Sequence, residues 1–289
     1  MSSPGPHIIS ATRAVVTTRK LLAAGGAAGY SAPSPHRDTS QDALLVLDLG
    51  DGRSVLAVAD GLGGLPGGGE AAHLAMTCLA QAVVSGARDG QPLRGAILDG
   101  FEAANAAILA TGTGSATTLA VAAVADNAMR AYHVGDSEIL LLGQRGRLRI
   151  RTVPHSPTGF AVEAGFLEDE SALSHEERHI VSNVIGSRDM RIDIGPTVPL
   201  NPFDTLLLGS DGLMDNLRVE EIISLICTGP LIQAVNRTAQ AAALRMTASE
   251  SGQPSKPDDL TVLAYRRRPG RGFPAPEPEA ATREAAAAP

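Results

Sequence analysis

Two aspartates close apolar, strand-length runs in this sequence. Val55-Leu56-Ala57-Val58-Ala59 ends in Asp60-Gly61, with Leu62-Gly63-Gly64 behind it, and Leu206-Leu207-Leu208-Gly209 ends in Ser210-Asp211-Gly212. A buried strand that stops in Asp-Gly brings a carboxylate to a sheet edge and then turns away tightly. The dipeptide alone is weak evidence, since Asp51-Gly52, Asp89-Gly90 and Asp99-Gly100 also occur. Asp51-Gly52 lies between two apolar runs and reads as a hairpin turn. Asp89-Gly90 follows a helical pattern and reads as a loop, whereas Asp99-Gly100 falls inside one and has no explanation from sequence. Position relative to a strand separates the two groups.

Asp42 and Asp258 sit at the starts of two further apolar runs. Crowding carboxylates into one cleft is costly unless cations neutralise them. The chain has no Cys/His ligand spacing, which argues against zinc. Oxygen ligands suit Mg²⁺ or Mn²⁺. Asp60 has two oxygens with which to bridge two ions, and Gly61 leaves its main-chain carbonyl accessible. Two neighbouring ions lower the pKa of a shared water and clamp a phosphoryl oxygen. Arg37 offers a forked cation suited to phosphate.

Stepping strands and helices must deliver these residues. Strand Ala43–Leu47 and strand Val55–Ala59, joined through Leu49–Gly52, form a hairpin that puts Asp42 near Asp60. Glu70 opens a helix whose stripe is Ala71, Leu74, Ala75, Cys78 and Ala82, and a second helix spans about Leu93 to Ala110. Strands Thr117–Val124, Met129–Val134, Ile139–Leu142 and Leu148–Arg151 read as one β-meander. Residues 153–200 mix short helical pieces and charge, and an insertion this long between strands reads as functional or mobile. Strand Thr205–Leu208, a helix through Val219–Ile226, a helix from Pro230 to about Met246, and strand Leu260–Tyr265 follow. Residues 1–35 read as a loose arm with material for one edge strand at Ile8-Ile9 or Val15-Val16. The domain then covers 36–267, and 268–289 reads as a disordered tail.

Composition sets outer limits. The chain has 289 residues, 44% hydrophobic and 19% charged, so it is globular, with an aliphatic core because aromatics are only 3%. A net charge of −7 gives no basic surface for nucleic acid. Cys78 and Cys227 read as buried thiols, not a disulfide framework. No apolar run approaches the ~20 residues of a membrane span. The expected setting is soluble and cytoplasmic.

Together these motifs resemble the metal-dependent Ser/Thr protein phosphatases, the protein phosphatase 2C family, in its bacterial form. The resemblance spans about residues 36–266. It rests on Arg37-x-x-Ser40-Gln41-Asp42, Ala59-Asp60-Gly61-Leu62-Gly63-Gly64, Gly114-Ser115-Ala116-Thr117, Val134-Gly135-Asp136-Ser137, Ser210-Asp211-Gly212-Leu213-Met214-Asp215 and Asp258-Asp259-Leu260-Thr261-Val262, in family order. It implies an α+β fold: a central β-sandwich of two mainly antiparallel sheets flanked by helices on both sides, four layers αββα. It implies Asp60 bridging two metals, Asp211 and Asp258 on the first, the Gly61 carbonyl on the second, and Asp42 acting through water. A third, weaker metal near Asp136 and Asp211 is implied as well, with residues 153–200 as a flap. Arg37 would grip the phosphate, and a hydroxide bridging the metals would attack phosphoserine or phosphothreonine. The implied partners are phosphorylated proteins, including a Ser/Thr kinase. Alternatives within the fold are a phosphatase dedicated to a sigma-factor regulator and a non-catalytic phosphoprotein-binding member.

Blander readings stand beside these. Asp258 could yield its ligand role to Asp259, although the family's Asp-then-Asn order favours Asp258. Asp136 reads equally as a turn cap, Asp215 as a support for the third site or a helix cap, and Arg37 as a solvated loop residue. His73, His133 and His155 read as structural. The chain departs from the family at Ser40, where Asn is usual, at Leu62, where eukaryotic members carry a His proposed as general acid, and in a longer stretch at Leu65–Gly69.

Overall fold

Apolar runs without alternation demand strands covered on both faces, and that is what the chain builds. The computed structural model describes residues 6–267 apart from 11, 14, 23, 63–66, 174 and 249–251. In chain order the strands are β1 (His7–Ser10), β2 (Val16–Leu21), β3 (Gly25–Ala32), β4 (Asp42–Asp48), β5 (Ser54–Asp60), β6 (Leu119–Ala125), β7 (Ala128–Val134), β8 (Glu138–Leu142), β9 (Leu148–Arg151), β10 (Asp193–Ile194), β11 (Val198–Pro199), β12 (Thr205–Gly209) and β13 (Leu260–Arg267). The helices are α1 (Gly68–Arg88), α2 (Leu93–Ala110), α3 (Pro157–Glu163), α4 (Asp169–Ala172), α5 (Asp211–Met214), α6 (Val219–Ile226) and α7 (Leu231–Thr247). One sheet runs β1-β4-β5-β6-β7-β10, with β11 also on β7; the other runs β2-β3-β13-β12-β8-β9. The pairings are antiparallel.

Alternate residues of each strand serve different layers. Leu44, Val46, Leu56 and Val58 face the other sheet and meet Leu141, Leu206, Leu208 and Leu263. Leu45, Leu47, Val55 and Ala57 point the other way, onto Met76 and Leu79 of α1 and Ile97 and Phe101 of α2. On the far side Leu140, Leu207 and Val262 pack under Ile222 and Ile226 of α6 and Val235 and Ala239 of α7. The result is the four-layer αββα arrangement, with three aliphatic cores between layers. Among the described residues, no helix is long and apolar enough to cross a membrane.

Several expectations change. The expected loose arm instead supplies β1, β2 and β3, and β3 lies between β2 and β13. Its Gly- and Ala-rich sequence hid it. Small residues are needed there because the layers close tightly: a Cβ on Gly29 would meet Leu44 Cδ2 and Thr18 Cγ2 at 3.1 Å. The α1 stripe is centred one position away from expectation, on Ala72, Ala75, Met76, Leu79 and Val83, while Leu74 and Cys78 are only half-buried. Cys227, expected buried, is also half-buried. Gly100 now has a reason. A Cβ there would lie 2.9 Å from Leu79 Cδ1 and 3.0 Å from Leu79 Cα, so glycine lets α2 cross α1 closely.

The expected meander breaks in two. β6 and β7 belong to one sheet, β8 and β9 to the other, and Gly135-Asp136-Ser137 is the crossing between them. Periodicity cannot show such a switch, because each strand alternates in the same way in either sheet. The 153–200 insertion holds α3, α4 and a 3₁₀ turn at Glu176–His179, then returns to the first sheet through β10 and β11. The expected tail at 268–289, and Leu65 and Pro66 of the Leu65–Gly69 stretch, lie outside the described residues.

Candidate active site

Sheet register places the first pair of carboxylates. Asp42 opens β4 directly opposite Asp60, which closes β5. The Asp60 backbone is held by the Thr117-Thr118 step. Its N–H donates to Thr118 Oγ1 (2.9 Å), and its carbonyl accepts from Thr117 Oγ1 and the Thr118 N–H (both 2.8 Å). Thr118 Oγ1 in turn shares a hydrogen bond with Ser137 Oγ (2.7 Å), which draws the Asp136 crossing to the same edge. Thus the motif at Gly114–Thr117 serves as a brace. Gly61 follows, its N–H donating to the Gln41 carbonyl (3.3 Å).

The second sheet supplies the rest. β12 ends at Gly209, and α5 begins at Asp211. Gly212 lets α5 lie against β13: a Cβ there would be 1.9 Å from the Asp259 carbonyl. Ser210 is the tie between the sheets. Its Oγ donates to Asp42 Oδ2 (2.7 Å) and accepts from the Thr261 N–H (3.0 Å). Asp258 lies just before β13 and, with Asp211 and Asp215, is half-buried against Lys256.

The structure therefore brings Asp42, Asp60, Asp136, Asp211 and Asp258 to one cleft between the sheet ends, with Asp215 beside them. The charges feel one another. Burial, then repulsion from Asp42, Asp211, Asp136 and Asp258, holds the Asp60 carboxyl well above its ordinary range. Burial, then Asp259, pushes Asp42 up to about 8. Burial, then Asp211 and Asp215, pushes Asp136 up to about 8, and burial with Asp211 pushes Asp215 up to about 6. Asp258 is raised by burial and by Asp211. In this cleft two buried carboxylate oxygens, Asp42 Oδ1 and Asp211 Oδ1, have no hydrogen-bond partner. Orphaned oxygens beside mutually repelling carboxylates fit hard divalent cations with oxygen ligands.

Arg37 stands at the rim with its side chain 36% exposed. Its Nη1 donates to Gln41 Oε1 (2.7 Å) and to Asp259 Oδ2 (3.0 Å). Asp259 is buried and fully engaged: Oδ1 accepts from the Ser34 N–H (2.7 Å) and Oδ2 also from the Gln41 N–H (2.8 Å). The two neighbouring aspartates thus divide the work, Asp258 facing the acidic cleft and Asp259 anchoring the Arg37 loop. Leu62 is half-buried and carries no proton to donate.

Sequence reasoning missed Lys256, whose ammonium sits among Asp211, Asp215 and Asp258. The available signal was its place two residues before Asp258, followed by Pro257. His133, His155 and Asp193 form a second group whose ligand atoms lie within 4.8 Å of one another. Here three of the four ring nitrogens are already engaged. His133 Nε2 bonds the Val153 carbonyl (2.9 Å), His155 Nδ1 accepts from the Gly135 N–H (3.0 Å), and His155 Nε2 faces Asp193 (3.2 Å). His155 also accepts from the Ser182 N–H at its carbonyl (2.8 Å), so it fastens the insertion to the Asp136 crossing.

A sequence model described as Protein phosphatase 2C matches residues 36–248. The chain belongs to the protein phosphatase 2C family. Among curated relatives, the protein phosphatase PhpP of Streptococcus pneumoniae is 34% identical over 182 residues, 61% of this chain and 73% of its own. The serine/threonine protein phosphatase PstP of Mycobacterium tuberculosis is 27% identical over 221 residues, 73% of this chain and 40% of its own. Among solved structures, the PPM Ser-Thr phosphatase MsPP of Mycobacterium smegmatis, in complex with cacodylate, superimposes with a TM-score of 0.69 at 26% identity, covering 83% of this chain and 97% of that one. The PstP catalytic domain in complex with two manganese ions shares the fold, with a TM-score of 0.64 at 23% identity over 88% of this chain and 100% of that one. The chain is accordingly a phosphoprotein phosphatase of protein phosphatase 2C type.

Proposed function

We propose that this phosphatase hydrolyses phosphoserine and phosphothreonine in proteins with the help of two divalent ions, Mn²⁺ or Mg²⁺, held at the acidic cleft. The observation that carries this reading is the pair of orphaned buried oxygens, Asp42 Oδ1 and Asp211 Oδ1, among carboxylates that repel one another. Asp60 would bridge the two ions, Asp211 and Asp258 would complete the first, and the Gly61 carbonyl the second. Asp42 would act through water. When bound, such ions acidify a water and withdraw charge from the phosphoryl group.

The chain's own residues orient and shield. Arg37, aimed by Asp259 and Gln41, grips phosphate oxygens with its forked N–H groups. The Thr117-Thr118 brace and Ser210 keep Asp60 and Asp42 in place while charge shifts. Attack is in line, without a covalent enzyme intermediate, and a Ser/Thr kinase is among the expected substrates. The test is hydrolysis of p-nitrophenyl phosphate and of a phosphothreonine peptide with and without Mn²⁺. Turnover should require the ion, and Asp60→Asn should lower it on the order of 10³-fold or more. Equal turnover by that variant defeats the reading.

A further inference from the structure

Lys256 is built into the acidic cleft. Its Nζ lies 2.9 Å from Asp215 Oδ2 and 3.4 Å from Asp258 Oδ2, and it also pairs with Asp211 Oδ2. The side chain is only 19% exposed. Its backbone is pinned to Asn216, two residues beyond α5. The Lys256 N–H donates to Asn216 Oδ1, and Asn216 Nδ2 donates back to the Lys256 carbonyl, both at 2.8 Å. Asn216 is fully buried and also bonds the Gly212 carbonyl (2.9 Å), within α5. Pro257 fixes the next residue. A lysine held at both backbone groups this way is unlike a mobile surface lysine.

Asp211 divides its oxygens. Oδ2 meets the ammonium, whereas Oδ1 is buried without a partner. At Asp211 a divalent ion can take Oδ1 while the ammonium keeps Oδ2, so on that carboxylate the two cations are neighbours, not rivals for one atom. The ammonium also pairs with Asp215, and its charge draws the Asp136 carboxyl down against burial. Asp136, Asp211 and Asp215 would otherwise form an oxygen-rich corner suited to one more hard cation.

We propose that Lys256 is a tethered counter-cation. Its ammonium holds the corner formed by Asp136, Asp211 and Asp215, so this phosphatase takes up two divalent ions and leaves no room for a third. The inference rests on the two-ion reading above and adds a fixed charge beside its first ion, since Lys256 also pairs with Asp211 and Asp258. A covalently attached cation is not diluted away, so the corner stays neutralised whether or not the other ions are bound.

The experiment is a count of bound ions. The full chain is stripped with EDTA, dialysed and titrated with Mn²⁺ by calorimetry, with bound Mn²⁺ counted by electron paramagnetic resonance. The wild type should bind two ions. Lys256→Gln and Lys256→Met should each bind three, and both should melt several degrees lower than wild type in EDTA. Three ions on the wild type would overturn the proposal, as would two ions on both variants. Should both variants fail to fold, the wild-type count still decides. No ion on the wild type, or one, would overturn the two-ion reading and the counter-cation with it, whereas three would leave the two-ion reading standing.

Discussion

Among the described residues, two clusters have the residue types of a metal centre, and they behave oppositely. The aspartate cleft has unpartnered buried oxygens and carboxyls driven far above their ordinary range. In the His133–His155–Asp193 group, hydrogen bonds engage His155 Nδ1 and His133 Nε2, and His155 Nε2 lies against the Asp193 carboxylate. Proximity is common to both, but unmet demand belongs to one. A site built for a cation leaves charge unneutralised, whereas a structural cluster satisfies itself.

Substitutions should sharpen that contrast. Asp60→Asn should cost activity on the order of 10³-fold, while His133→Gln should leave Mn²⁺ dependence unchanged. A reversed pattern in a p-nitrophenyl phosphate assay would move the chemistry to the histidines. Arg37→Ala should lower kcat/KM by roughly 10²-fold on a phosphopeptide, with bound Mn²⁺ unaltered; loss of the ions would instead make Arg37 a scaffold residue. His155→Phe strips the Gly135 N–H of its acceptor and should destabilise the fold by about 1–3 kcal/mol, with the ion count unmoved. Chemical denaturation with Mn²⁺ counting checks both halves.

The smallest effect is a pH trend. In the metal-free fold Asp42 and Asp136 titrate at about 8, far above an unfolded carboxylate. Between about pH 4 and 8 the folded chain therefore binds more protons than the unfolded chain, and stability falls as pH rises. Melting in EDTA should drop from pH 6 to pH 8, and the rise on adding Mn²⁺ should be larger at pH 8. A metal-free Tm that stays level or climbs across that window would contradict mutual repulsion as the state of the cleft.

Much of the cleft was legible because strand ends are legible. Asp60 and Asp211 each terminate an apolar run, and the short turn before Val55 fixes Asp42 opposite Asp60. These are local facts, carried by alternation and turn chemistry. Asp258 and Asp259 were distinguishable by motif order, but their division of labour was not. It depends on the approach of Ser34, Arg37 and Gln41, which are more than two hundred residues away in sequence.

The sequence by itself determined an aliphatic α+β chain, the positions where carboxylates leave strands, and the family resemblance. Only the tertiary structure decided which sheet each strand joins, that Gly- and Ala-rich β3 lies within one, and that Lys256 reaches the acidic cleft. The reason is physical. Strand period and turn residues act over a few neighbours and are written in order along the chain. Close layer packing at Gly29 and Gly100, and the meeting of Lys256 with Asp211, depend on contacts between distant segments that no local pattern encodes.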